Sequence, residues 1–164
     1  MKTLLVLRHA KSSWDDPSLP DHDRPLNKRG KRDAPRMGSL LEEKRLVPDL
    51  VLCSTAARAL ATAREVIEAC GYDGEVRLSR ELYLASAETY AAFLRREPRQ
   101  HERVLLVGHN PGLEELLHGL TGEEHHLSTA AVARLELPIK SWDAFILDRN
   151  ARLVDLWRPK ELSG

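Results

Sequence analysis

Three short runs of purely apolar residues constrain the fold of this chain more than anything else in it. They are Leu4-Leu5-Val6-Leu7, Leu50-Val51-Leu52-Cys53 and Val104-Leu105-Leu106-Val107. Four residues suit a strand, and the lack of any alternation means that both faces are covered, as in a parallel sheet. Each run stops abruptly in residues with chemistry to offer: Arg8-His9-Ala10-Lys11, Ser54 to Arg58, and Gly108-His109-Asn110.

The intervening stretches read as helices. Asn27 is a plausible N-cap for a helix through about Lys44, with Ala34, Met37, Leu40 and Leu41 inward. Pro35 inside it implies a late start or a kink. Ser54 and Thr55 are placed to cap a helix from about Ala57 to Ala69, which Gly71 stops. Val76 and Leu78 suggest a short strand, Arg80 to Tyr83 an ordered loop, and Ser86 or Ala87 the start of a third helix through about Arg95. Asn110 as N-cap, with Pro111 at the first helical position, opens a fourth. Residues 131–137, 144–148 and 152–157 alternate and read as strands, the last two as a hairpin through Arg149-Asn150.

Strand and helix thus alternate four times. The expected class is α/β, a three-layer αβα arrangement around a mainly parallel central sheet, as one domain over residues 1–164. Right-handed crossovers line up the carboxyl ends of the three apolar strands, the rim where open α/β sheets bind ligands. Two arginines and two histidines converge there from distant positions.

Composition narrows the partners. Lys plus Arg and Asp plus Glu both number 25, so no global charge recruits nucleic acid or an anionic membrane. No apolar run approaches a membrane span, and residues 4–7 are too few for a signal peptide. Cys53 and Cys70 form neither a CxxC pair nor a ligand set, and read as reduced thiols in a cytoplasmic protein.

Guanidinium groups fit phosphate oxygens bidentately, and helix N-termini add unpaired N–H groups. With Arg8, Arg58, His109 and Lys11, the rim suits a dianionic phosphoryl group. Neutral imidazole can attack phosphorus, while the arginines stabilise charge on the equatorial oxygens.

The motifs carry a resemblance as well. Leu7-Arg8-His9-Ala10 resembles the RHG signature of the histidine phosphatase superfamily, whose fold is phosphoglycerate mutase-like. The stretch from Ser54 to Ala63 resembles its S-x-x-x-R-A-x-x-T-A segment, and Gly108-His109-Asn110-Pro111 the segment with the second histidine. The opening to Trp14, and Arg24-Pro25-Leu26 followed by Gly30, look most like SixA-type phosphohistidine phosphatases. The resemblance implies that His9 is the nucleophile, phosphorylated in the reaction, and that Arg8, Arg58 and His109 clamp the phosphoryl group. Glu81 aligns with the superfamily's proton donor, against the alternative of a solvated carboxylate. Arg24, Lys11 and Ser12 are candidates for binding phosphate or substrate. No metal or other cofactor is implied. The implied partner is a phosphorylated protein, such as a phosphotransfer domain, or a small phosphoester. Two departures stand out: Ala10 replaces the signature glycine, and the insertion that closes the pocket of mutase members is missing after Tyr83.

Other chemistries fit less well. A cysteine phosphatase loop needs five residues between thiol and arginine; Cys53 and Arg58 are separated by four. Glu123, Glu124, His125 and His126 are consecutive on a polar turn and rarely converge on one ion. His22, His101 and His118 lack supporting context, and the tryptophans read as packing residues, with Trp14 beside the site the exception. The rival from another class is a binding module that recognises phosphorylated ligands without turning them over; it has no need of two histidines.

Overall fold

The computed structural model describes residues 1–162. Six strands form one sheet: β1 (Lys2–Arg8), β2 (Leu50–Ser54), β3 (Val76–Ser79), β4 (Arg103–Gly108), β5 (Val132–Leu137) and β6 (Arg152–Trp157). Their order is β3-β2-β4-β1-β5-β6. The first four run parallel, and β5 and β6 are added antiparallel at one side. The helices are α1 (Lys28–Glu43), α2 (Ala57–Cys70), α3 (Ala87–Leu94) and α4 (Gly112–Thr121).

The unbroken apolar runs do what two-sided burial requires. Leu4, Val6, Leu50, Leu52, Val104 and Leu106 face a core with the α3 residues Tyr90, Ala91 and Leu94 and the α4 residues Leu113, Leu116 and Leu117. Their alternates Leu5, Leu7, Val51, Cys53, Leu105 and Val107 face the core with α1 and α2. Register then fixes the rim. Arg8 stands opposite Gly108 across β1 and β4, and Cys53 opposite Val107 across β2 and β4, so the three carboxyl ends finish level.

Local signals explain most helix ends. The Asn27 side chain accepts the Gly30 N–H at 2.9 Å, and the Ser86 side chain accepts that of Thr89 at 3.2 Å. Four expectations need correction. Helix α1 does not start late: it begins at Lys28 with Pro35 inside it. Lys31, whose carbonyl Pro35 leaves without its helical donor, is exposed, so water can replace that bond. The N-cap of α2 is Ala56; Ser54 instead folds its Oγ back to accept the Ala56 N–H at 3.2 Å. Asn110 does not cap α4. Its peptide to Pro111 is cis, its Nδ2 donates to the Leu127 carbonyl at 2.9 Å, and the helix starts at Gly112.

Residues 144–148 form no strand, so the hairpin through Arg149-Asn150 does not exist. A 3-10 turn at Trp142–Ala144 buries Trp142 and Phe145 against the α3–α4 face. The Arg149 and Ala151 N–H groups then go to the Gly119 and Leu120 carbonyls, each at 3.0 Å, instead of to a ladder. Alternating apolar residues here serve a plug, which periodicity alone does not separate from a strand.

Helices α1 and α2 cross closely at Gly38, where a Cβ would lie 2.5 Å from the Val66 carbonyl oxygen. In an open helix Gly→Ala stabilises by about 1 kcal/mol. Here the clash should win, because overpacking costs about 1–3 kcal/mol. Gly38→Ala is therefore expected to lower the denaturant midpoint; an unchanged or higher midpoint would mean that the two helices part freely.

Candidate active site

The polar residues that leave the rim meet in one pocket of about 300 Å³, lined by Arg8, His9, Lys11, Ser12, Trp14, Arg24, Arg58, Leu84, His109, Asn110 and Thr129. Seven of the eight residues singled out from the sequence are in that lining. The eighth, Glu81, is not: its carboxylate lies at the surface, 3.5 Å from Arg96 Nη1.

His9 sits at the end of β1, with its backbone N–H on the Gly108 carbonyl at 3.1 Å. Its Nδ1 lies 2.8 Å from the Ala10 carbonyl, an acceptor only, so Nδ1 carries the proton and Nε2 keeps its lone pair. The ring is buried, 7% exposed, and its pKa falls to about 3, because burial and then the nearby Arg58, Arg8 and Arg24 oppose a charged imidazole. His109, with its ring centroid 5.1 Å from that of His9, is lowered to about 3 by burial first, and then by His9, Arg58 and Arg8.

Ser54 Oγ accepts the Ala56 N–H and lies 2.8 Å from His109 Nε2, to which it can give its own hydrogen. In that tautomer His109 carries its proton on Nδ1, a buried atom with no partner among the described residues. Arg8 and Arg58 each present a second kind of orphan. Arg8 is anchored through Nη1 to the Leu127 carbonyl at 3.2 Å, and Arg58 through Nη1 and Nη2 to Asp21; both Nε groups are buried and unpaired among the described residues. Three unsatisfied donors beside one neutral nucleophile are what a phosphoryl group's oxygens would satisfy.

Asp21 is the residue the sequence reading missed. Its carboxylate accepts from Arg58 Nη2 at 3.0 Å, from Arg24 Nε at 3.2 Å and from the Tyr83 hydroxyl, and its carbonyl accepts from Arg58 Nη1 at 2.7 Å. The hydrogen bonds from Tyr83 and the arginines hold its pKa down to about 2. Tyr83 in turn packs edge-on against His109, with centroids 5.4 Å apart. His22, set aside from sequence, packs edge-on against Tyr83 and bonds Thr55 Oγ1 at 2.8 Å. An acid three residues before Arg24 was the available signal for Asp21.

Three further contacts hold the frame. Thr62 Oγ1 accepts the Ala10 N–H at 2.9 Å and donates to the Arg58 carbonyl at 2.7 Å, tying the His9 loop to α2. The Tyr90 hydroxyl accepts the His109 N–H at 3.0 Å. Arg24 Nη1 donates to Ser12 Oγ at 2.8 Å, which aims one candidate binding residue with another. Cys53 is no nucleophile: burial pushes its thiol up to about 12. Among the described residues no group of His, Cys, Asp and Glu is arranged to hold a metal ion, and no helix is long and apolar enough to cross a membrane.

Comparison with known proteins agrees with this geometry. The profile of the histidine phosphatase superfamily (branch 1) matches residues 4–83. A structure from Agrobacterium tumefaciens, provisionally assigned as the phosphohistidine phosphatase SixA, is 31% identical and superposes with a TM-score of 0.84 over 96% of this chain and 98% of that one. A likewise provisional SixA from Nakamurella multipartitia is 30% identical, with a TM-score of 0.79 over 96% of each chain. An uncharacterised chloroplastic protein of Arabidopsis thaliana is 31% identical over 160 residues, 89% of this chain and 72% of its own. The chain belongs to the histidine phosphatase superfamily. Within it the chain is of the SixA type, with the phosphoglycerate mutase-like fold, and it is a phosphatase.

The two lowered imidazoles set a pH dependence. The unfolded chain takes up their protons near pH ~6.5 and the folded chain only near 3, so the stability they confer is complete above ~6.5 and is lost as the pH falls toward 3. Nitrogen NMR at pH 5 should find both rings neutral, with the proton of His9 on Nδ1; a His9 that titrates near its ordinary value would contradict the buried cationic setting. Asp21→Asn keeps the shape but removes the charge that faces two arginines. At about 1.5–3 kcal/mol for hydrogen bonds to charged groups, phosphatase kcat/KM should drop ten- to hundredfold. A loss under twofold would show that the arginines hold themselves.

Proposed function

We propose that this chain is a metal-independent phosphohistidine phosphatase that works through a covalent phosphohistidine on His9. The observation that supports this reading best is the lining of the pocket, which combines a neutral nucleophile and four cationic side chains with no carboxylate. In the first step His9 Nε2 attacks phosphorus in line, and the bond from phosphorus to the substrate's nitrogen breaks. Arg8, Arg58 and the Nδ1–H of His109 take the equatorial oxygens, with Arg24, Lys11 and Ser12 at the outer side. The other ring nitrogen of a phosphohistidine takes a proton from water near neutral pH, so the substrate's imidazole leaves as a neutral base. Water then attacks phosphorus on His9, and inorganic phosphate departs.

A sugar or alkyl phosphate expels an alkoxide, which needs a placed acid. Asp21, outside the pocket lining, stays ionised with its oxygens committed to Arg58, Arg24 and Tyr83. Glu81 in its Arg96 pair stands away from the pocket. Phosphohistidine is the substrate that this deficiency tolerates best, and a histidine-phosphorylated signalling protein is its natural source. The same reading places the chain in the cytoplasm as a single domain over residues 1–164, in keeping with two free, buried thiols.

The test compares phosphate release from a histidine-phosphorylated protein, a phosphoserine peptide and an aryl phosphate, with chelator present throughout. Release from phosphohistidine well above the other two is expected, and its abolition in His9→Ala. Arg58→Ala should cost about 3–4 kcal/mol of transition-state stabilisation, several hundredfold in kcat. Equal release from all three would make the chain a broad phosphomonoesterase, silence on all three a phospho-ligand binder, and inhibition by chelator would bring a metal into the reaction.

A further inference from the structure

Resting on the phosphohistidine reading, we infer that Trp14 and Leu84 form an apolar docking rim that selects phosphohistidines flanked by apolar residues on a partner protein. The described residues expose six large hydrophobic side chains, and two of them, Trp14 at 71% and Leu84 at 56%, border the catalytic pocket. Met1, Val76, Leu78 and Ile146 line none of it. His9, in the same lining, is only 7% exposed. A phosphoryl group must therefore be offered on a projecting side chain, and the surface from which it projects meets Trp14 and Leu84.

Among the described residues, Leu84 belongs to neither apolar core. It adopts φ +50°, the left-handed region that a leucine enters only under strain. A glycine or an asparagine would turn the chain there at less cost, and neither would expose an isobutyl group. Trp14 has a partial internal role, since the Arg24 guanidinium lies 3.5 Å from its ring centroid. That contact occupies one face of the indole, and most of the side chain is still open to water. An apolar pair around a cationic hole complements a surface on which a phosphohistidine is flanked by leucine-like side chains, because burial of apolar area supplies affinity while the phosphoryl group supplies register.

The four cations of the lining, Arg8, Lys11, Arg24 and Arg58, account for the phosphoryl group itself and leave the residues beside the phosphohistidine to meet Trp14 and Leu84. A free phosphorylated metabolite would leave both exposed side chains unused.

The experiment uses two synthetic phosphohistidine peptides, identical except that leucines flank the phosphohistidine in one and serines in the other. Wild-type protein should prefer the leucine peptide about tenfold in kcat/KM. In Leu84→Ser, and in Trp14→Ala, that preference should shrink to within twofold. Because the preference is a ratio measured on one enzyme sample, it does not depend on how much of a variant is folded. Equal use of both peptides by wild type, or a preference that both variants keep, would overturn the docking rim. If Trp14→Ala instead loses equally on both peptides while Leu84→Ser keeps the wild-type ratio, Trp14 serves only to cover Arg24, and the inference fails. No turnover of either peptide by wild-type protein, with aryl phosphate still hydrolysed, would overturn the phosphohistidine assignment itself.

Discussion

The structure depends on keeping several guanidinium groups buried around two imidazoles that stay neutral. Arg58 is 3% and Arg24 7% exposed, and Arg8 is half-buried beside them. Unopposed positive charges in so small a volume repel one another and lose hydration. Two features make the arrangement stable. Asp21, outside the pocket lining, binds Arg58 and Arg24 together, and His9 and His109 add no charge of their own because burial and the arginines hold both near 3. The site is therefore short of negative charge on the side that faces the pocket. A dianion entering there completes a cluster that the protein has left electrostatically open.

The same constraint explains why the frame is so heavily cross-tied. Mutual repulsion would spread the rim, and the contacts that oppose it run between elements distant in sequence. Thr62 joins α2 to the loop after β1, Tyr90 joins α3 to the loop after β4, and Ser54 joins the end of β2 to His109. Each tie uses a backbone amide or a buried hydroxyl, groups that would otherwise be unsatisfied in the interior. Preorganisation of the pocket and satisfaction of the core's polar groups are accomplished by the same few bonds.

Much of this was legible in the sequence, for a physical reason. Strands buried on both faces have no alternation to disguise, so the three apolar runs announced a covered parallel sheet and a common rim. His9, Arg8, Arg58 and His109 are attached to those runs by no more than a few residues, and sheet register carried them together. Asp21 was missed, and Glu81 was left between proton donor and solvated carboxylate, because each sits on a short 3-10 turn in a long connection, where sequence spacing does not fix direction. Residues 144–148 misled because an apolar plug and a half-buried strand share one pattern over so short a span. The Asn110 cap failed because its amide is held through Nδ2 on the Leu127 carbonyl, and Oδ1, the atom a cap would use, has no partner among the described residues; local propensity does not register that tertiary contact.

The missing carboxylate and the open mouth bear on each other. An enzyme that expels alkoxides must bring an acid to the leaving oxygen, and a closed pocket helps it do so by shaping the alcohol around that acid. Here the pocket borders carry an indole and an isobutyl group and no acid, and no insertion follows Tyr83 to cover them. On the reading proposed above, selection is by leaving group: the phosphoramidate bond of phosphohistidine breaks without a placed acid, whereas the ester bond of an alkyl phosphate does not. Such a filter separates classes of phosphoryl compound but is blind to which protein bears the histidine. Discrimination among partners then falls to groups outside the reacting atoms, and Trp14 and Leu84 stand where such groups would act.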